Sequence, residues 1–301
     1  MYDKILVPLD GSAFSERALS LTIPLARALG ATVILMRAAS ASAFPGADPT
    51  EAQCQAVGEA QAYLGALATG LSDQGLSCEA ATPYGDAAEC ILLEIGLRDP
   101  DFVVMCTHGR SGLGRWIYGS VAEQVVAHSP APVLLVRPTG QIPTLKPGPE
   151  QSSLLVPLDG SAFAEAALPH AEAFARAIGA DILLLRALEP PVISYEYAVT
   201  GLMADSLEEQ RRQAESYLHG VAQKLRNDGL EVRMAVWEGW PADVIVHRGV
   251  DSGSRLIVMA THGRTGVARL LLGSVALEVV RRTLQPVLLV RPSTSADPAS
   301  I

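Results

Sequence analysis

Nine consecutive residues, Leu6 to Phe14 (LVPLDGSAF), recur unchanged as Leu155 to Phe163, and this duplication constrains the fold more than any other feature of the chain. Two further blocks return in the same order. Thr107 to Ala122 (THGRSGLGRWIYGSVA) matches Thr261 to Ala276 (THGRTGVARLLLGSVA), and Pro132 to Pro138 (PVLLVRP) matches Pro286 to Pro292 letter for letter. Each copy is about 140 residues long. That is far more than the ~20 to 50 residues of a solenoid or propeller repeat, so each copy must bury its own core and fold as a domain. The predicted organisation is a first domain over 1–140, a linker over 141–152, a second domain over 153–293 and a flexible tail over 294–301. Pro and Gly are frequent between Thr139 and Ser152, as befits a connector.

Hydrophobic residues make up 49% of the 301 and charged residues 18%, enough apolar material for two cores. The formal charge of -9 argues against a nonspecific nucleic-acid binder, because such binding depends on Lys and Arg displacing phosphate counterions. Any anionic ligand must be held locally. The four cysteines, Cys54, Cys78, Cys90 and Cys106, all lie in the first copy, which excludes a repeated metal or disulfide framework and points to a reducing cytoplasm. No basic-then-apolar leader is evident, and runs such as Ile182 to Leu185 are far shorter than the ~18 apolar residues of a membrane span. A soluble, unexported protein with no membrane partner is expected.

In the first copy, Lys4 to Leu9 reads as a strand, Asp10-Gly11-Ser12 as a turn, and Ser15 to Leu29 as one helix stopped by Gly30. Strands follow at 32–36, 78–82, 101–106 and 133–136, and helices at 51–72, 86–97 and 120–128, the third helix opened by an Asp86 cap. The second copy repeats the order, with strands near 154–158, 181–185, 231–235, 255–260 and 287–290. It carries an insertion around Glu189 to Ser206, read as a variable surface loop. Continuous apolar runs in the central strands indicate a parallel sheet covered by helices on both faces. The fold class is therefore α/β, with two tandem open doubly wound parallel sheets.

In such sheets ligands bind outside the carboxyl ends of the strands, where strand order reverses. Asp10 and Asp159 end the first strand of their copies, and His108-Gly109 and His262-Gly263 follow the fourth. If these strands are neighbours, both features face one crevice. Beyond them a glycine-bearing loop leads to Gly119-Ser120 and Gly273-Ser274, where a helix start offers N-H groups and a positive dipole end to phosphate. Arg110, Arg115, Arg264 and Arg269 recur near this loop. The carboxylates suit ribose hydroxyls or an adenine amino group at the far end of a nucleotide. Each residue also has a plainer role. Asp10 suits a turn cap, His108 and His262 a backbone hydrogen bond, Ser120 and Ser274 a helix N-cap, Gly119 and Gly273 chain reversal, and Cys106 a small buried position.

These motifs together resemble the universal stress protein family, over essentially both repeats and in its tandem-domain form. The resemblance implies five-stranded sheets in the order 3-2-1-4-5, of the adenine nucleotide alpha hydrolase-like type, domains paired along their last strands, and a bound ATP or related adenine nucleotide (AMP or ADP), with Mg²⁺ as an accompanying ion. The family's pattern is Gly, two residues, Gly, nine residues, Gly, then Ser or Thr. Gly109 and Gly263 hold its second glycine, Gly119 and Gly273 its third, and Ser120 and Ser274 follow; Cys106 and Ala260 stand where its first glycine belongs. By the same resemblance Ala38 and Ala187 meet adenine through their backbone. Pro8, His108, Arg110 and Val121, with Pro157, His262, Arg264 and Val275, complete the candidate binding set.

The expected function is a stress-response module that binds adenine nucleotide with no or slow hydrolysis, and that associates with itself as an intramolecular pseudo-dimer or a homodimer. No catalytic set is assigned, since the chain has no G-x-x-x-x-G-K-[ST], H-E-x-x-H, C-x-x-C or G-x-S-x-G motif. A nucleotide-independent scaffold acting through its dimer surface and the 189–206 insertion, and a slow ATPase using His108 or His262, are the alternatives.

Overall fold

The structure, a computed structural model, describes residues 2–41, 48–107, 119–137, 153–190, 202–262 and 272–292, with the side chains of 202–206 excepted. The chain divides into two compact units, Met1–Leu145 and Lys146–Ile301.

In the first unit, β1 (Lys4–Pro8), β2 (Thr32–Met36), β3 (Cys78–Ala81), β4 (Phe102–Cys106) and β5 (Val133–Val136) form a parallel sheet in the order β3-β2-β1-β4-β5. Leu6 pairs with Ile34 on one side and Val103 on the other. Ile5, Leu6 and Val7 are fully buried, as are Phe102, Val103 and Val104, which is why these strands read as unbroken apolar runs rather than alternating ones. The order reverses between β1 and β4, so the expected neighbours are neighbours.

The helix expected over 15–29 is two helices, α1 (Ala13–Glu16) and α2 (Leu19–Leu29). The N-H groups of Arg17 and Ala18 bond three residues back, to Phe14 and Ser15, and this tight turn breaks the α-helical ladder. The break keeps Ser15 near the end of β1, where its Oγ donates to the Ser12 carbonyl and accepts from the Asp10 N-H. Gly30 ends α2 in the left-handed region (φ 68°), as expected of a C-terminal glycine. Then come α3 (Pro49–Ser72), α4 (Ala87–Arg98) and α5 (Ser120–His128). Asp86 caps α4 by accepting from Ala88 and Glu89.

The second unit repeats this plan with β6 (Ser153–Pro157), α6 (Ala162–Glu165), α7 (Leu168–Ile178), β7 (Asp181–Leu188), α8 (Leu202–Asn227), β8 (Val232–Glu238), α9 (Pro241–Asp251), β9 (Ser254–Ala260), α10 (Ser274–Arg282) and β10 (Val287–Val290). Its order, β8-β7-β6-β9-β10, is the same arrangement. β7 and β8 extend three residues past the predicted ends, because Arg186, Ala187 and Leu188 continue to pair with Val236, Trp237 and Glu238. Trp240 stands where the first unit has its Asp86 cap; α9 begins instead with Pro241, which has no N-H to satisfy. The 189–206 insertion is not loop throughout, since α8 starts at Leu202; residues 191–201 of it, the linker and the tail lie outside the described residues. Among the described residues no helix is long and apolar enough to cross a membrane.

Candidate functional site

Past β1 the chain turns sharply at Asp10-Gly11-Ser12. Asp10 Oδ1 accepts from the Ser12 N-H at 2.9 Å and from its hydroxyl at 2.6 Å, while Gly11 takes φ +82°. Asp159 and Ser161 repeat both bonds at 2.9 and 2.6 Å, with Gly160 at φ +84°. Here a glycine is needed, since other residues rarely adopt that conformation. The turn-capping role of the aspartate is real, and it coexists with a place in the site: Asp10 and Asp159 each line a cavity.

The facing wall comes from the neighbouring strand. Thr107 and Thr261, just past β4 and β9, are buried. Gly119 donates its N-H to the Thr107 carbonyl at 2.7 Å, and Gly273 to the Thr261 carbonyl at 2.8 Å. These bonds draw the start of α5 and α10 against the strand ends. Gly119 and Gly273 are themselves the N-caps, with no side-chain cap bond, so Ser120 and Ser274 are the first helical residues and not the caps considered above. A methyl added to Gly273 would lie 2.9 Å from the Thr261 carbonyl oxygen, so this glycine answers a close backbone approach.

Between these walls lies a cavity of about 490 Å³ in the first unit and about 480 Å³ in the second. Pro8, Asp10, Ala38, Gly119, Ser120 and Val121 line the first. Pro157, Asp159, Ala187, His262, Gly273, Ser274 and Val275 line the second. His108, Gly109, Arg110, Gly263 and Arg264 lie outside the described residues. His262 Nδ1 shares a hydrogen bond of 3.0 Å with Thr261 Oγ1. Cys106 and Ala260 line their cavities and are buried. The Cys106 thiol lies 3.8 Å from the Ser15 carbonyl, and burial pushes its pKa up to about 12, so at neutral pH it is a protonated, small side chain. Among the described residues no group of three or more His, Cys, Asp or Glu is placed to hold a metal ion.

Sequence reasoning missed Arg37 and Arg186, which also line the cavities, and the tyrosines beneath them, Tyr63 and Tyr217. A signal was present, because an arginine follows the four apolar residues VILM and ILLL alike.

Comparison with known proteins agrees with this construction. The model of the universal stress protein family matches residues 1–137 and again 152–291. The chain belongs to the universal stress protein family. Universal stress protein MJ0577 of Methanocaldococcus jannaschii is 28% identical over 155 residues, which cover 47% of this chain and 96% of that one. Universal stress protein Rv2623 of Mycobacterium tuberculosis is 28% identical over 197 residues, 63% of this chain and 62% of the relative, a little under two thirds of its length. A universal stress protein structure from Archaeoglobus fulgidus DSM 4304 aligns with a TM-score of 0.71 at 20% identity, over 96% of each chain. A universal stress protein structure from Pseudomonas aeruginosa UCBPP-PA14 gives 0.70 at 17% identity, over 97% of this chain and 94% of that one. Such low identities speak to fold alone, and that fold, an open parallel sheet whose strand order reverses between its first and fourth strands, is present twice.

Proposed function

We propose that this universal stress protein binds ATP, or the related AMP or ADP, in one or both cavities, and that occupancy regulates a stress response with no or slow hydrolysis. The observation that carries this reading is the convergence, in both units, of an aspartate, a small-residue wall and an uncapped helix start on one cavity. At about 490 and 480 Å³ the cavities are of small-molecule size, for which ~300 to 1,000 Å³ is usual. Asp10 and Asp159 suit the ribose or base end; the backbone N-H groups at Ser120, Val121, Ser274 and Val275 suit phosphate. Ala38 and Ala187 leave room for a flat base beside the second strand. Cys106 and Ala260 are small enough to replace glycine at the wall without filling it. The residues present therefore fit an adenine nucleotide.

Mg²⁺ enters with the nucleotide, held by phosphate oxygens and water, as is usual for this ion. Slow turnover is the expectation for a chain with no P-loop lysine in its sequence. Residence in the cytoplasm, the domain limits at 140 and 153 and self-association belong to the same reading; β3 and β8, each paired with a strand on one side only, are its support for assembly.

The test is to denature freshly purified protein and identify released nucleotide by chromatography and mass spectrometry, alongside a Mg-ATP thermal shift. One to two adenine nucleotides per chain are expected on release, or a stabilisation of about 2.7 kcal/mol at ligand 100-fold above Kd. No release and no shift at millimolar Mg-ATP would sink the reading.

A further inference from the structure

Each unit carries the same closed ring of side chains beside its cavity. In the first unit the ring starts at the Asp10 turn and runs through α1 to Glu16. The Tyr63 hydroxyl, from α3, donates to Glu16 Oε1 at 2.8 Å. Arg37 Cζ lies 5.0 Å from the centre of the Tyr63 ring. The guanidinium then returns to the turn: a methyl built on Gly11 would lie 3.2 Å from Arg37 Cζ. In the second unit the Tyr217 hydroxyl donates to Glu165 Oε1 at 2.8 Å, Arg186 Cζ lies 5.3 Å from the Tyr217 ring, and a methyl on Gly160 would overlap the Arg186 guanidinium.

The duplication of this ring is informative because α3 and α8 otherwise agree mainly in apolar residues. With Tyr63 aligned on Tyr217, the helices share Leu64 with Leu218 and Leu71 with Leu225, all buried. The tyrosine is the shared position that bears a polar group, and that group bonds to α1, next to the aspartate turn. A guanidinium is planar and donor-only; here it lies between the tyrosine ring and the glycine of the turn. The left-handed glycine leaves the space for it.

We infer that Arg37 and Tyr63, and likewise Arg186 and Tyr217, are positioning residues that fix the Asp10 and Asp159 carboxylates for a ribose hydroxyl and so set preference for ribonucleotides over deoxyribonucleotides. This inference rests on the nucleotide reading above. A carboxylate accepting from a hydroxyl discriminates only while its direction is fixed, because a mobile one loses the bond's directional gain. Removing the tyrosine hydroxyl leaves the aromatic ring under the guanidinium but releases α1 and the turn from the long helix.

The test is calorimetric titration of the full chain with ATP and with 2′-deoxy-ATP, both with Mg²⁺. The wild type, Tyr63→Phe with Tyr217→Phe, Arg37→Met with Arg186→Met, and Asp10→Asn with Asp159→Asn as a reference are compared, each with its thermal unfolding followed. The wild type is expected to prefer ATP by about tenfold, the scale of a hydrogen bond to a charged group. Both positioning pairs are expected to fall below about threefold, with ATP affinity weakened several-fold and 2′-deoxy-ATP affinity nearly kept. Parallel loss for both ligands would show a merely structural role and overturn the inference, as would an unchanged ratio or a wild type without preference. If the wild type binds neither ligand, the nucleotide reading itself has failed.

Discussion

The Gly273 position offers the sharpest energetic test, because it isolates a clash from a conformational penalty. Gly273 has φ -64° and ψ 149°, which alanine adopts without strain. Its obstacle is distance: the new Cβ would lie 2.9 Å from the Thr261 carbonyl oxygen, which is backbone and accepts the 2.8 Å bond from the Gly273 N-H. Relief requires that the turn before α10 move away from β9, lengthening or breaking that bond. Overpacking costs about 1 to 3 kcal/mol and a backbone hydrogen bond about 1, so Gly273→Ala should destabilise the second unit by about 2 to 4 kcal/mol. For a unit of this size that is a fall in Tm of roughly 4 to 16 °C. The control is Gly220→Ala on the exposed face of α8, where an added methyl meets nothing within 4 Å. There the same chemical change should stabilise by about 0.5 to 1 kcal/mol, through helix propensity alone. Urea unfolding of both variants, followed by circular dichroism, measures the difference. A Gly273→Ala protein within about 0.5 kcal/mol of wild type would refute the argument that close approach demands this glycine.

Four further outcomes follow from burial and capping. The folded-state pKa of Cys106, raised to about 12, means that between its ordinary value of 9.0 and 12 the unfolded chain gives up a proton that the folded one keeps. Cys106 should therefore make stability fall with rising pH in that window, by up to about 1.4 kcal/mol per unit, and Cys106→Ala should remove that share of the slope in paired urea titrations, leaving the part due to the raised Tyr2, Tyr63 and Tyr217. Native thiol labelling at pH 7.5 should modify the exposed Cys54 before Cys106; fast Cys106 labelling would contradict its burial. Burial lowers the pKa of His170 on α7, so the unfolded chain protonates first and stability should fall as pH drops through about 6.5; His170→Gln should flatten that loss in acid unfolding curves. Asp86→Ala should cost the first unit about 1 kcal/mol by calorimetry, whereas Trp240→Ala, at the matching position with no cap bond, should leave helix capping unchanged.

Much of this architecture is legible in the chain because it is written twice and because buried parallel strands leave continuous apolar runs. Ile5 to Val7 and Phe102 to Val104 announce themselves by composition, and Gly30 and Asp86 mark helix limits by local chemistry. The break between α1 and α2 is not visible in periodicity, since it comes from Ser15 being tied back to the turn at Ser12 and Asp10. Nor does sequence distinguish Ser120 as first helical residue from Ser120 as cap, because that depends on the path of Gly119 toward Thr107. The aspartate and glycine-serine parts of the site lie in repeated blocks and were readable. Tyr63 and Glu16 were not, because the bond joining them spans 47 residues and links two separate helices.

The hydrogen bonds from Gly119 to Thr107 and from Gly273 to Thr261 have a consequence for variation. In each unit they staple together the two ends of an eleven-residue stretch, 108–118 or 262–272. With its ends joined, that stretch is a cartridge on a fixed socket: residues can be exchanged within it, and even its length altered at small entropic cost, while sheet and helix keep their places. The two copies already display such exchange, SGLGRWIY in one and TGVARLLL in the other between the same THGR and GSVA. Selection can thus retune either stretch independently, on one unchanged frame.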